Sequence, residues 1–154
     1  MTQKYSHKYL FGIEIDGVEV AQFETCSPLK MGVGAVEHWE GGTLVGHAEP
    51  GRLTCEPVTL TSGKTTSLEL HALFMKTLNP AVGAKEASGQ IGAGDNDTEF
   101  NFDLVERNRD GSERARNRVY CWYTESYEHG SWDNKADEVV IQTVVFKTKY
   151  YEPV

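Results

Sequence analysis

The sequence predicts a mainly β fold: a barrel or sandwich of antiparallel strands in one domain spanning residues 1–154, with one packed α-helix. Three observations carry that expectation. Apolar and polar residues alternate through most of the chain, at the period of a half-buried strand. Fifteen glycines, several in turn pairs such as Asp16-Gly17 and Asp110-Gly111, cut the chain at short intervals. A single stretch changes to a helical period.

The elements follow in order. Tyr9 to Ile15 sets Phe11, Ile13 and Ile15 on one face, Asp16-Gly17 is a two-residue turn, and Val18 to Phe23 alternates again. That is a β-hairpin. An extended arm, 33–51, comes next. Val33 to Trp39 is expected to pair loosely with Thr43 to His47 across Glu40-Gly41-Gly42, and Pro50-Gly51 to close the arm with a turn. Leu53 to Leu60 reads as one strand in which Pro57 marks an edge or a bulge.

From Leu68 to Leu78 the apolar residues fall at helical spacing. Thr65, Thr66 or Ser67 can cap this helix, Glu69 suits its first turn, and Asn79-Pro80 stops it. A surface loop is expected over 80–98, rich in Gly, Ala, Ser and Asp. Phe100 to Glu106 is a strand, Asn108 to Gly111 a hairpin turn, and Arg116 to Tyr127 the returning strand. In that strand Val119, Cys121 and Tyr123 should share one side, and Tyr120 and Trp122 the other. Glu138 to Tyr151 is the strongest strand pattern in the chain. It is apolar on both faces, Val139, Ile141 and Val145 against Val140, Val144 and Phe146, so its second face calls for cover by the helix or by another subunit.

Charge and composition narrow the function. The formal net charge is -8, which disfavours a protein that wraps nucleic acid or anionic membrane. No stretch approaches the ~18 apolar residues of a membrane span. The opening MTQKYSHKYLFGIEIDG is basic but has no apolar core with a cleavage site, which predicts folding in a cytoplasm.

No pattern points to chemistry. Gly63-Lys64-Thr65 imitates the end of a phosphate loop, but the glycine that the loop needs five residues earlier is Val58. The five histidines are scattered, and His71 has Met75 four residues on, so no zinc pair forms. The oxygens of Gly94 to Glu99 lack the spacing of a calcium loop. No serine or cysteine sits in a nucleophile signature. The expectation is a non-enzymatic protein with no catalytic residue, metal site or cofactor.

Two features then ask for a use. The arm carries Glu37, Trp39, Gly41, Gly42, Leu44, Val45, Pro50 and Gly51, and its apolar members make sense if a neighbouring molecule covers them. The three cysteines, Cys26, Cys55 and Cys121, are either buried thiols or donors of disulfides between chains. A different use of the surface is a small ligand-binding module, for carbohydrate or protein, built on Trp122, Tyr123, Tyr127 and Trp132.

The chain resembles the tail tube proteins of contractile phages and related injection systems. The resemblance lies in Phe11-Gly12-Ile13-Glu14-Ile15-Asp16-Gly17-Val18 running on to Phe23-Glu24, then in Val36-Glu37-His38-Trp39-Glu40-Gly41-Gly42, in Pro50-Gly51-Arg52, and in Val58-Thr59-Leu60-Thr61-Ser62-Gly63. A short helix and a long final strand complete it. The loop 80–98 and the cysteines depart from the family pattern. The resemblance implies a barrel protomer, six of which form a ring, with rings stacked into a hollow tube. The arm would then reach a neighbouring protomer or the next ring. Implied partners are further copies of the chain, sheath subunits, baseplate and tail terminator proteins, and DNA in transit past a carboxylate-lined lumen. The implied place is a virion tail assembled in a bacterial cytoplasm. A bacterial contractile injection system carrying protein cargo is the alternative.

Overall fold

The computed structural model describes residues 5, 7, 9–15, 18–21, 23–63, 70, 71, 74 and 98–154, the side chains of 18–21 excepted. Nine strands are delimited there: β1 (Phe11–Ile15), β2 (Val18–Ala21), β3 (Phe23–Cys26), β4 (Met31–His38), β5 (His47–Cys55), β6 (Val58–Gly63), β7 (Phe100–Arg107), β8 (Glu113–His129) and β9 (Ile141–Pro153). Seven form one antiparallel sheet in the order β2-β1-β7-β8-β9-β6-β3, and β4 and β5 form a separate two-stranded ribbon.

The sheet closes almost on itself. Its two edges are β2 and β3, which one residue separates in sequence. Two residue steps span at most about 7 Å, so the edges meet at that end. The result is a nearly closed barrel, not a sandwich.

The hairpin over the start of the chain forms with the expected register, Ile15 opposite Val18. The Asp16-Gly17 pair itself lies outside the described residues. The β7–β8 hairpin turns where expected: Asn108 N–H donates to Ser112 O at 2.8 Å, and Gly111 adopts a φ of 86°, which favours glycine. Other strand readings change. Leu53 to Leu60 is not one strand, because Glu56-Pro57 separates β5 from β6 and sends them into different sheets. The last strand starts at Ile141, leaving Val139 exposed before it.

The packed α-helix expected over Leu68–Leu78 is corrected: no helix is delimited among the described residues, whose architecture is strands. Helical backbone is recorded at Leu70, His71 and Phe74, and the rest of that stretch lies outside the described residues, as does the predicted loop up to residue 97. A sheet closed on itself buries its inner face without a second layer. Leu70 is what this segment, among its described residues, gives to the core.

That core is Ile13, Val58, Leu60, Phe102, Val119, Cys121, Val144 and Phe146, with Leu70. Phe146 sits at its centre, edge-on to Phe100 at 4.9 Å and tilted against Phe102 at 5.6 Å. Gln142 also faces inward, where its amide donates to Ser62 Oγ at 2.9 Å and accepts from the Tyr127 hydroxyl at 2.8 Å. The pairing satisfies three polar groups that would be costly to bury alone. On β8 the simple alternation fails. Irregularities around Cys121 to Ser126 turn Tyr123 outward and bury Thr124 instead, against the expected sharing of a face by Cys121 and Tyr123.

The outer face of β1, β7 and β8 carries an ion network. Arg116 Nη1 bridges Glu14 at 2.7 Å and Asp103 at 2.6 Å, while Nε of Arg118 donates to Asp103 at 2.9 Å. Asp103 is buried, and the hydrogen bond from Arg118 is the largest influence holding its carboxyl below the usual range, with Arg116 acting in the same direction against desolvation. The folded value is depressed, so the stabilisation is present above the unfolded pKa of about 3.9 and is lost as pH falls through the folded value. Asp103→Asn is expected to cost about 2 kcal/mol at neutral pH, the scale of charged hydrogen bonds. Urea titrations from neutral to acid should show the wild type losing stability below about pH 4 and the variant lacking that slope. Parallel profiles would contradict the assignment.

Candidate assembly surface

β4 and β5 pair from Met31 opposite Cys55 to His38 opposite His47, and project as a ribbon with no ladder to the barrel sheet. The pairing is longer than the loose one expected. Thr43 to Gly46 belong to the tip, and the second strand starts at His47. Pro50 and Gly51 do not close the arm: they lie inside β5, where Pro50 faces Ala35 beside a register shift. A bulge in a two-stranded ribbon tolerates a residue that lacks an N–H. Gly51 suits the close approach there, since a Cβ would stand 3.0 Å from the carbonyl oxygen of Gly34 and the facing strand would have to give.

The tip spans residues 39–46 and has defined geometry. Thr43 donates to the Glu40 carbonyl through its N–H at 3.3 Å and its hydroxyl at 2.8 Å, and Gly42 takes a φ of 84°. The Trp39 ring covers Gly46, where a Cβ would stand 2.7 Å from it. The structure therefore gathers Trp39, Gly41, Gly42, Leu44 and Val45 at the tip, and leaves Glu37, Pro50 and Gly51 in the strands.

The tip's apolar groups face outward. Leu44 is 98% exposed and Val45 83%. Trp39, Val33, Val36 and Leu53 are also more than half exposed, and Val33 lies opposite Leu53 across the ribbon. Sequence reasoning named the tip but not Val33, Val36 and Leu53. The signal for them was an apolar residue in each strand of a pair that has no second layer. A lone two-stranded hairpin is marginal in water and has no interior in which to hide such groups.

At the ribbon's foot, between β1, β3, β7 and the connection into β4, lies a cavity of about 590 Å³. Phe11, Cys26, Leu29 and Leu104 line it, together with Glu24 and Glu106. Cys26 is half-buried, and burial pushes its thiol up to about 11. Cys121 is in the barrel core, and burial, with a smaller contribution from Cys55, pushes it up to about 12. Cys55 ends β5 and is half-buried.

The four aromatics of the ligand-module reading are spread. Trp122 and Tyr123 are exposed on β8, with the Lys149 ammonium 4.0 Å above the Trp122 ring. Tyr127 binds Gln142, and Trp132 contacts His129 at 6.0 Å beyond the end of the strand. Among the described residues no group of three or more His, Cys, Asp or Glu is placed to hold a metal ion. Among them, too, no helix is long and apolar enough to cross a membrane.

The described residues thus form a nearly closed strand barrel from which a ribbon projects with an exposed apolar tip. Residues 7–152 match the family described as T4-like virus tail tube protein gp19, and the chain belongs to that family, which is structural and non-catalytic. No curated protein matches the sequence. Among solved structures the chain is similar to the anti-feeding prophage cap, the AFP tube terminating cap, with a TM-score of 0.76 and 15% identity over 100% of this chain and 93% of that one. It is also similar to the PVC sheath-tube complex of an extracellular contractile injection system in the extended state, at TM-score 0.72 and 15% identity over 97% and 93% of the two chains. Hcp1 from Flavobacterium johnsoniae gives a TM-score of 0.58 and 11% identity, with 94% of each chain covered.

The thiols should separate by reactivity. At pH 8 a thiol with a pKa of about 11 is thiolate in about one molecule per thousand, so Cys26 and Cys121 should label slowly with Ellman's reagent. Cys55→Ser is expected to remove the fast phase; fast labelling that survives in this variant would contradict the burial of the other two.

Proposed function

We propose that the chain is the tube subunit of a contractile injection system. Six copies form a ring, rings stack into a hollow tube, and a sheath, a baseplate and a terminator complete the apparatus. The observation that carries this reading is the ribbon, whose tip exposes Leu44 almost completely and Val45 and Trp39 largely. A tube supplies neighbours to cover such groups on every copy. Family membership supports the tube role, and the likeness to the anti-feeding prophage cap and the PVC sheath-tube complex supports an injection system, for which protein is the cargo we propose.

A second reading, a phage tail tube conducting DNA and resident in the virion, is supported by the family's description as a virus tail protein and by the net charge of -8. Carboxylates lining a lumen repel phosphates and keep a passing genome from adhering. Neighbouring genes separate the two: capsid and terminase genes mark the phage, an effector cluster the injection system. Disulfides between subunits belong to the same proposal. Cys26 and Cys55 are the two half-buried thiols that can supply them, whereas Cys121 sits in the core.

Electron microscopy of the purified chain should show rings or tubes, and replacement of Gly34 to Gly46 by a short linker should leave soluble monomers. Normal polymerisation of that deletion would refute the role given to the ribbon. Non-reducing gels of intact particles should show multimers that collapse with reductant. A monomer band under both conditions would remove the disulfides.

A further inference from the structure

The ribbon leaves open what its tip touches. The cavity at the ribbon's own foot fits the chemistry of that tip. Phe11, Cys26, Leu29 and Leu104 give it apolar walls, and its volume is about 590 Å³. A dry cavity of about 150 Å³ already holds a benzene-sized group, so a leucine and a valine side chain fit here together. Leu44 and Val45 are adjacent at the tip and are the two most exposed apolar residues of the ribbon.

The tip cannot serve its own chain. The cavity includes Ser27, Pro28 and Leu29, the connection from which β4 departs. β4 has eight residues, so its far end stands about 26 Å away along the ribbon. We propose that this cavity is the acceptor for the ribbon tip of a second copy of the chain, with Leu44 and Val45 as the inserted groups. The inference rests on the tube-subunit reading and adds to it the site at which one copy receives the next.

Two further observations fit that occupant. Glu24 and Glu106 also line the cavity, while His38 and His47 form the first rung behind the tip. His47 is already held by Glu49 at 3.1 Å, so His38 is the imidazole that would arrive beside these carboxylates, which share the cavity wall with His7. The contact is also heterologous, because each copy offers a tip on one side and a foot on the other. Such contacts repeat in one direction and close into a ring when the rotation permits. Every copy carries both halves, so the chain alone suffices for assembly.

Cys26 makes the contact testable, since its sulfur lies in the cavity wall. Leu44→Cys is made in a Cys55→Ser background, and assembled protein is treated with diamide over an extended incubation, because the half-buried Cys26 thiol reacts slowly unless the contact holds the introduced thiol against it. The diazene takes up the two protons and two electrons that the thiols of residues 44 and 26 release as the S–S bond forms. A disulfide requires Cα atoms within about 7 Å, so it reports direct contact. The expected result is a ladder of covalent multimers on a non-reducing gel, absent when Cys26→Ser is added. Val45→Cys repeats the test should the first position point its sulfur away. Unmodified Leu44→Asp should raise the concentration needed for assembly by at least about tenfold. Rings or tubes in the microscope without a Cys26-dependent ladder from either variant would overturn the acceptor site and leave the tube reading standing. A wild-type chain that forms no rings or tubes would overturn both.

Discussion

A two-stranded ribbon has no inside. Beyond its foot, where Cys55 is half-buried, its side chains face water or another molecule, and hydrogen bonds alone hold a hairpin only marginally. β4 and β5 are bound by that constraint, because no ladder joins them to the barrel. They nevertheless carry Val33, Val36, Leu53, Trp39, Leu44 and Val45 on exposed surface. Burial of one such aliphatic group is worth roughly 1.5–3 kcal/mol, so a neighbour that covers several gains enough to organise an assembly. The ribbon is the part of the molecule where exposed apolar side chains concentrate, which is the premise of the assembly proposed above.

The barrel has the opposite character. Its two edge strands meet through the single residue between β2 and β3, so the sheet comes round almost onto itself. Phe102, Phe146 and their neighbours fill its interior, and the network of Glu14, Asp103, Arg116 and Arg118 fastens the outer face of β1, β7 and β8. The fold thus separates a barrel that fills its own interior from a projecting ribbon whose apolar tip is exposed. The foot of the ribbon joins the two, and there β3, the connection to β4 and β7 enclose a cavity with apolar walls.

Much of this was legible because it depends on local pattern. Turn chemistry at Asn108 to Gly111 and alternation through Phe100 to Glu106 located a hairpin whose register follows from its loop. The arm was recognisable by its glycines and its uncovered Trp39, Leu44 and Val45. What local pattern could not show was which strand pairs with which. Pro50-Gly51 carries a turn signal yet lies within β5, because a bulge opposite Gly34 asks for the same residue types as a turn. Glu56-Pro57 separates two sheets where the sequence suggested one strand, and the irregularities of β8 reverse the facing of Tyr123 and Thr124. Helical spacing at Leu68–Leu78 overstated the architecture, since the sheet closes over its own core. The cavity at the ribbon foot draws on β1, β3, β7 and a connecting segment, residues far apart in the chain, and so had no sequence signature.

The most direct measure of the central claim is hydrogen–deuterium exchange, followed strand by strand in dilute and in assembled protein. If the ribbon depends on a neighbour, the amides of β4 and β5 exchange fast in the dilute chain and become protected on assembly, while those of β8 and β9 stay protected throughout. Ribbon amides equally slow at both concentrations would show that the projection is stable alone, and would contradict the account.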